Sequence, residues 1–148
     1  MTRSHFGNMT SSLLFFVFAF SFVIALAAGG QVTTALMKPT SLLCESLTAP
    51  LGIDTPKPAL SWRLQDGRWG AKQTAYEITV YNKVSTAASR PDVWDSRRIQ
   101  SDQSVDVHYD GPTLGPEKRY YWRVQAWDKD GKAYPASDVS WWETGLLS

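Results

Sequence analysis

The chain has 148 residues, 43% of them hydrophobic, with 15 basic and 14 acidic side chains and a formal net charge of +1. That length suits one domain rather than two. With no basic excess or basic stripe to neutralise phosphates, nucleic acid is excluded as a partner. The single cysteine, Cys44, excludes an intramolecular disulfide.

The N-terminus carries an export signal. Arg3 precedes an apolar run from Leu13 to Ala28 that ends in Ala25-Leu26-Ala27, the small-x-small pattern a signal peptidase accepts. Residues 1–27 are therefore read as a helical signal peptide, cleaved on secretion, followed by a linker at 28–41 and a β-domain at 42–146. The alternative is an uncleaved membrane anchor, and the run falls short of the ~20 residues a spanning helix needs. All six phenylalanines (Phe6, Phe15, Phe16, Phe18, Phe20, Phe22) lie in this leader, so the domain takes its aromatic bulk from Trp and Tyr alone.

Beyond the leader the chain alternates short strands with turns. Leu42–Leu47 is the first strand, with Cys44 among apolar neighbours as a buried small hydrophobe rather than a reactive thiol. Pro50, Gly52, Pro56 and Pro58 then interrupt regular pairing. Ala59–Leu64 resumes it with Leu60, Trp62 and Leu64 on one face and Ser61 and Arg63 on the other. Asp66-Gly67 and Gly70 mark a turn. Thr74–Asn82 places Tyr76, Ile78 and Val80 on one face and Glu77, Thr79 and Tyr81 on the other. Lys83–Asp92 is a polar connection.

Val93–Ser96 is a short strand, and Val105–Tyr109 is another, with Val105, Val107 and Tyr109 sharing a face. Asp110-Gly111-Pro112 turns the chain. Leu114, Pro116, Tyr120, Trp122, Val124 and Ala126 then fall on one parity, the pattern of a long strand, Arg119–Asp128, with one buried face. Asp128–Gly131 is a hairpin turn, and Ser140–Thr144, with Trp141 and Trp142, returns as the last strand. Seven strands with no helical periodicity after the leader predict an all-β, seven-stranded immunoglobulin-like sandwich. Its expected core includes Trp62, Tyr76, Leu114, Tyr120, Trp122 and Val124.

The run Leu114-x-Pro116-x-x-x-Tyr120-x-Trp122-x-Val124-x-Ala126, followed by Asp130-Gly131, resembles the sixth-strand region of fibronectin type III domains, and Trp62 matches their second-strand tryptophan. The resemblance implies that Tyr120 forms a tyrosine corner, its hydroxyl bonded to backbone upstream. A more specific set comprises Cys44-Glu45-x-Leu47, Pro50-Leu51-Gly52-Ile53-Asp54, Pro58-x-Leu60-Ser61-Trp62-Arg63-Leu64, Gln73-Thr74-Ala75-Tyr76, Trp94-Asp95-Ser96, Ser101-Asp102-Gln103-Ser104 and Trp141-Trp142-Glu143. In this order the motifs resemble the N-terminal domain of bacterial-type α-L-rhamnosidases, glycoside hydrolase family 78. The resemblance implies a secreted parent enzyme that removes terminal L-rhamnose by inversion, with its paired acids in a separate helical barrel. Members of that family continue for several hundred residues, so the chain is expected to be a truncated one whose partners are the other domains of a rhamnosidase.

No catalytic residue carries over. Inverting hydrolysis needs two carboxyls flanking a sugar pocket, and Asp54, Glu77, Asp95, Asp102 and Asp106 fall on polar strand faces or in turns, where solvated charges are the expectation. Asp128-x-Asp130-Gly131 imitates the opening of a calcium loop, yet the twelfth position is Val139, not an acid. No metal or cofactor is expected. His108, the one histidine outside the leader, is read as a solvent-facing strand residue, leaving no two-histidine zinc site and no Ser-His-Asp triad.

The tryptophans remain. Trp127 has the outward parity of its strand, Trp69 lies in a turn, and one of Trp141 and Trp142 must point outward. Trp69, Trp127, Trp141 and Trp142 are therefore the candidate residues for docking a neighbouring domain or for stacking rhamnose-containing carbohydrate. The expected role is a noncatalytic scaffold. The alternatives are a free-standing carbohydrate-binding module and an extracellular adhesion domain.

Overall fold

A computed structural model describes residues 38–84 and 90–147. The expected signal peptide, most of the linker and the middle of the 83–92 connection lie outside the described residues. Within them the chain forms β1 (Thr40–Cys44), β2 (Ala59–Arg63), β3 (Gln73–Tyr81), β4 (Trp94–Asp95), β5 (Ile99–Gln100), β6 (Val107–His108), β7 (Arg119–Asp128) and β8 (Ser140–Glu143). A three-stranded sheet in the order β1-β2-β6 faces a five-stranded sheet in the order β4-β3-β7-β8, with β5 on the same edge of β3 as β4. This is an immunoglobulin-like β-sandwich. Its described residues form eight strands rather than seven, because the chain after β4 rejoins β3 through Ile99 and Gln100.

The long pair β3 and β7 forms the spine, running antiparallel from Gln73 opposite Asp128 to Tyr81 opposite Tyr121. Tyr76, Ile78 and Val80 thereby share one face with Ala126, Val124 and Trp122. Against them pack Leu60 and Trp62 of β2, Val107 of β6, and Tyr109, Leu114, Tyr120 and Trp142. The two layers are also hydrogen-bonded to each other through the core. Trp62 Nε1 donates to Gln73 Oε1 at 3.0 Å, and Gln73 Nε2 donates to the Gln103 carbonyl at 2.9 Å, so a buried indole N–H and a buried amide satisfy one another.

Four details depart from the sequence pattern, each with a local backbone cause. The first strand stops at Cys44 instead of Leu47, because Glu45 and Ser46 both take positive φ (49° and 65°) and close a two-residue hairpin turn between Cys44 and Leu47. The segment from Pro50 does not leave pairing entirely. Ile53 bridges Thr144 in parallel, with Ile53 N–H donating to Glu143 O and Gly145 N–H donating to Ile53 O, which covers the otherwise open edge of β8. Val105 is 60% exposed rather than sharing a face with Val107 and Tyr109, since Asp106 at φ 53° breaks the alternation. Pro116 is exposed too, sitting in a turn completed by Glu117 at φ 51°, before β7 begins.

The tyrosine corner is present. Tyr120 is buried, and its hydroxyl oxygen accepts the Gly115 N–H at 2.7 Å, pinning the loop before β7 to the core. Tyr120→Phe is expected to lower stability by about 0.5–1.5 kcal/mol in urea unfolding. Unchanged midpoint and slope would show that the bond adds nothing. Cys44 is buried, and burial first, then the neighbouring Glu45 charge, pushes its thiol up to about 12, which keeps it protonated and inert.

Candidate functional site

The parity of the five-stranded sheet decides which tryptophans reach the surface. On β7 the odd positions 121, 123, 125 and 127 face away from the core, beside Glu77, Thr79 and Tyr81 of β3 and Trp141 of β8. Trp142, paired with Tyr120 on the inner face, is 0% exposed. It stacks on Tyr120 at 5.7 Å and meets Tyr109 and Trp122 edge-on at 6.2 and 6.4 Å. This corrects its place among the docking or sugar-stacking candidates. No ligand reaches it, because alternation puts Trp142 inside once Trp141 is outside.

The two outward-facing sheet tryptophans are each capped by an arginine. The Arg119 guanidinium lies 4.0 Å from the Trp141 ring centroid and also pairs with Glu143 at 3.1 Å; the Arg98 guanidinium lies 4.7 Å from Trp127. Tyr81 is similarly approached by Arg123 at 5.9 Å and is buried. Guanidinium stacking of this kind satisfies the ring's negative face and removes it from use as a platform.

Trp69 differs. It is 99% exposed and makes no ring contact with any described residue. Its neighbour Arg68, by contrast, is locked in place. Asp66 Oδ1 accepts the Arg68 N–H, and Arg68 Nη2 donates to Asp66 Oδ2 at 2.5 Å and to Asp128 Oδ2 at 2.9 Å. Tyr134 donates its hydroxyl proton to Asp66 Oδ2 at 2.8 Å. Asp128 Oδ1 accepts the N–H groups of Asp130 and Lys132, closing the hairpin turn. The β2–β3 loop and the β7–β8 turn are thus clamped together at one end of the sandwich. Beside Trp69 the clamp leaves a notch of about 140 Å³ lined by Arg68, Ala71, Asp128, Lys129 and Asp130.

The clamp was not visible in the sequence, which marks Asp66 and Asp128 only as turn residues. Both carboxyls are held below the ordinary 3.8. For Asp66 the side-chain bonds from Arg68 dominate; for Asp128 burial pushes upward and is outweighed by the Lys132 N–H, Arg68 and the Asp130 N–H. A folded value below the unfolded one means that the clamp's contribution is complete above pH 4 and drains away as pH falls below it. The melting temperature is therefore expected to drop between about pH 4 and pH 2, and Asp66→Asn/Asp128→Asn should flatten that acid limb. An equally steep limb in the double variant would assign acid sensitivity elsewhere.

The remaining carboxylates do not converge on a pocket. Glu77 is pushed upward by burial and by the nearby Asp95 charge, with Arg97 and Arg123 opposing. Asp95 is engaged by the Arg97 N–H at 2.8 Å and does not line the groove of about 170 Å³ beside Glu77. Asp102 pairs with Lys72 at 3.2 Å. Among the described residues no group of three or more His, Cys, Asp and Glu side chains is placed to hold a metal ion. His108 is exposed, with Nδ1 3.2 Å from the Lys57 carbonyl oxygen.

Comparison with known proteins gives this geometry a context. Residues 39–148 match the family described as "Rha78A-like, N-terminal immunoglobulin domain". An α-L-rhamnosidase of Streptomyces avermitilis is 45% identical over 111 residues, covering 75% of this chain and 11% of that protein. One from Formosa agariphila is 36% identical over 106 residues, covering 72% and 11%. Among solved structures, an α-L-rhamnosidase from Dictyoglumus thermophilum superposes with a TM-score of 0.72 at 38% identity over 76% of this chain and 13% of that one. The Streptomyces avermitilis enzyme complexed with L-rhamnose gives 0.69 at 46% identity, covering 74% and 11%. The chain thus spans about a tenth of the length of the curated relatives it matches.

Proposed function

The chain belongs to the Rha78A-like N-terminal immunoglobulin domain family, and from that membership we propose that it is the noncatalytic accessory module of an exported α-L-rhamnosidase, acting by docking on the enzyme's other domains. The observation that carries this reading is the confinement of the match to 11% of relatives named as α-L-rhamnosidases, under a family description that places the segment at their N-terminus. The acid and base of hydrolysis belong, on this reading, to the polypeptide beyond that tenth. The chain's own best-anchored carboxyls, Asp66 and Asp128, are tied to Arg68 and held ionised, the opposite of what a general acid requires.

The docking surface is proposed at the end of the sandwich where Ile53 and Gly145 pair. There Leu51, 66% exposed, and Leu146, 71% exposed, lie on either side of the junction, exposed apolar side chains of the sort that modules of one polypeptide bury between them. The apolar leader from Leu13 to Ala28 supports export.

The reading is tested by supplying the protein in trans to the Streptomyces avermitilis relative from which the matched segment has been deleted. Association that is lost in Leu51→Asp/Leu146→Asp supports docking. Turnover of an aryl rhamnoside by the chain alone would overturn the noncatalytic role, and retention of a reporter fused behind residues 1–37 inside the cell would overturn export.

A further inference from the structure

We infer that the loop end of the sandwich, farthest from the proposed docking leucines, is a binding subsite for one residue of a neutral saccharide, with Trp69 as its stacking platform. The inference goes beyond the docking role and does not rest on it.

Position comes first. β7 runs from Arg119, near Thr144 and Gly145, to Asp128 at the far end. The Trp69 notch therefore sits a full strand length, roughly 30 Å, from the junction. A partner seated on Leu51 and Leu146 leaves it open.

The notch is also built differently from the rest of the surface. Trp127 and Trp141 carry arginine caps, whereas Trp69 presents its indole bare. Uncapped indole faces are the side chains on which the C–H face of a sugar ring packs. Beside that ring, Arg68 spends Nε and Nη2 on Asp66, Asp128 and Tyr134. Its Nη1 donors take no acceptor among the described residues, so two N–H groups are held in a fixed direction with no further rotamer entropy to lose on binding. Asp130 adds carboxylate acceptors at the rim.

Size and charge choose the occupant. A notch of about 140 Å³ is smaller than the ~300 Å³ at which drug-sized pockets begin, which suits a single ring rather than a peptide segment. Arg68 is held between Asp66 and Asp128, and Lys129 pairs with Asp130 at 3.0 Å, so two cations meet three carboxylates. An anionic ligand gains no net attraction there, while a polyhydroxylated neutral one finds donors and acceptors in fixed places.

The test is titration of the ¹⁵N-labelled protein with L-rhamnose, D-glucose, D-galactose, D-mannose and D-glucuronate, following the Trp69 indole N–H signal, which is identified by its loss in Trp69→Ala. A saturable shift with at least one neutral sugar is expected. Trp69→Ala should weaken that binding about tenfold or more, read at the backbone signals of Asp130, without changing the melting temperature. Trp127→Ala and Trp141→Ala should leave the affinity alone. No saturable shift with any neutral sugar, a preference for glucuronate, or binding indifferent to Trp69→Ala would each overturn the inference. So would Trp69 signals that respond to the deleted relative and to no sugar, which would give this end to a protein partner.

Discussion

Trp142→Ala is expected to destabilise the domain by about 3–5 kcal/mol, whereas the adjacent Trp141→Ala should cost no more than about 1 kcal/mol. The contrast follows from one residue of parity. Trp142 is enclosed by Tyr120, Tyr109 and Trp122, and its indole N–H finds no acceptor among the described residues. Removing the side chain therefore breaks no hydrogen bond. What is lost is packing, and the three surrounding rings, held by two different sheets and the tyrosine corner, have little freedom to collapse into the space. A loss of that size consumes a large share of the 5–15 kcal/mol margin of a small domain. Trp141, half-buried on the outer face opposite Tyr121, stacks on Arg119, and its truncation opens no cavity between the two sheets. Urea unfolding of the two variants checks both. Equal, small losses would mean that Trp142 is not a core residue, and Trp142→Phe should recover much of the deficit because it restores ring volume without needing a partner for an N–H.

How far such a site is legible in sequence depends on the range of the interaction that makes it. Period-two alternation over Arg119–Asp128 and Thr74–Asn82 exposes the β3–β7 spine, because inward and outward faces differ sharply in polarity there. The same rule marks Trp127 as outward, and it says that Trp141 and Trp142 must diverge without saying which goes inside. That choice is made by register, Trp142 opposite Tyr120, a relation between residues far apart in the chain. The rule also fails wherever one residue takes a left-handed conformation, as at Asp106, so that Val105 ends outside. The clamp beside Trp69 joins Asp66 and Arg68 to Asp128 and Tyr134, some sixty residues later. Nothing local distinguishes Asp66 in a turn with a buried partner from Asp102 in a turn without one. Turn chemistry identifies where the chain reverses, and only the fold shows which turns meet.

Trp62→Ala should be as damaging as the loss of Trp142, about 3–5 kcal/mol, but for a second reason as well. Trp62 is buried, packs edge-on against Tyr76 at 5.2 Å and donates Nε1 to Gln73. Truncation opens a cavity between the layers and leaves the Gln73 carbonyl oxygen without its partner in a dry environment, an added penalty of about 1–3 kcal/mol where it stays unsatisfied. The two parts separate by substitution. Trp62→Phe keeps most of the bulk and orphans Gln73; Gln73→Leu keeps the indole and orphans its N–H. In the double variant neither polar group remains, so its cost should be smaller than the sum of the single ones. Strict additivity of the three unfolding free energies would mean that the Trp62–Gln73 bond does not couple the sheets. A Trp62→Ala protein that still melts cooperatively near the parent temperature would show that the sandwich closes without the ring.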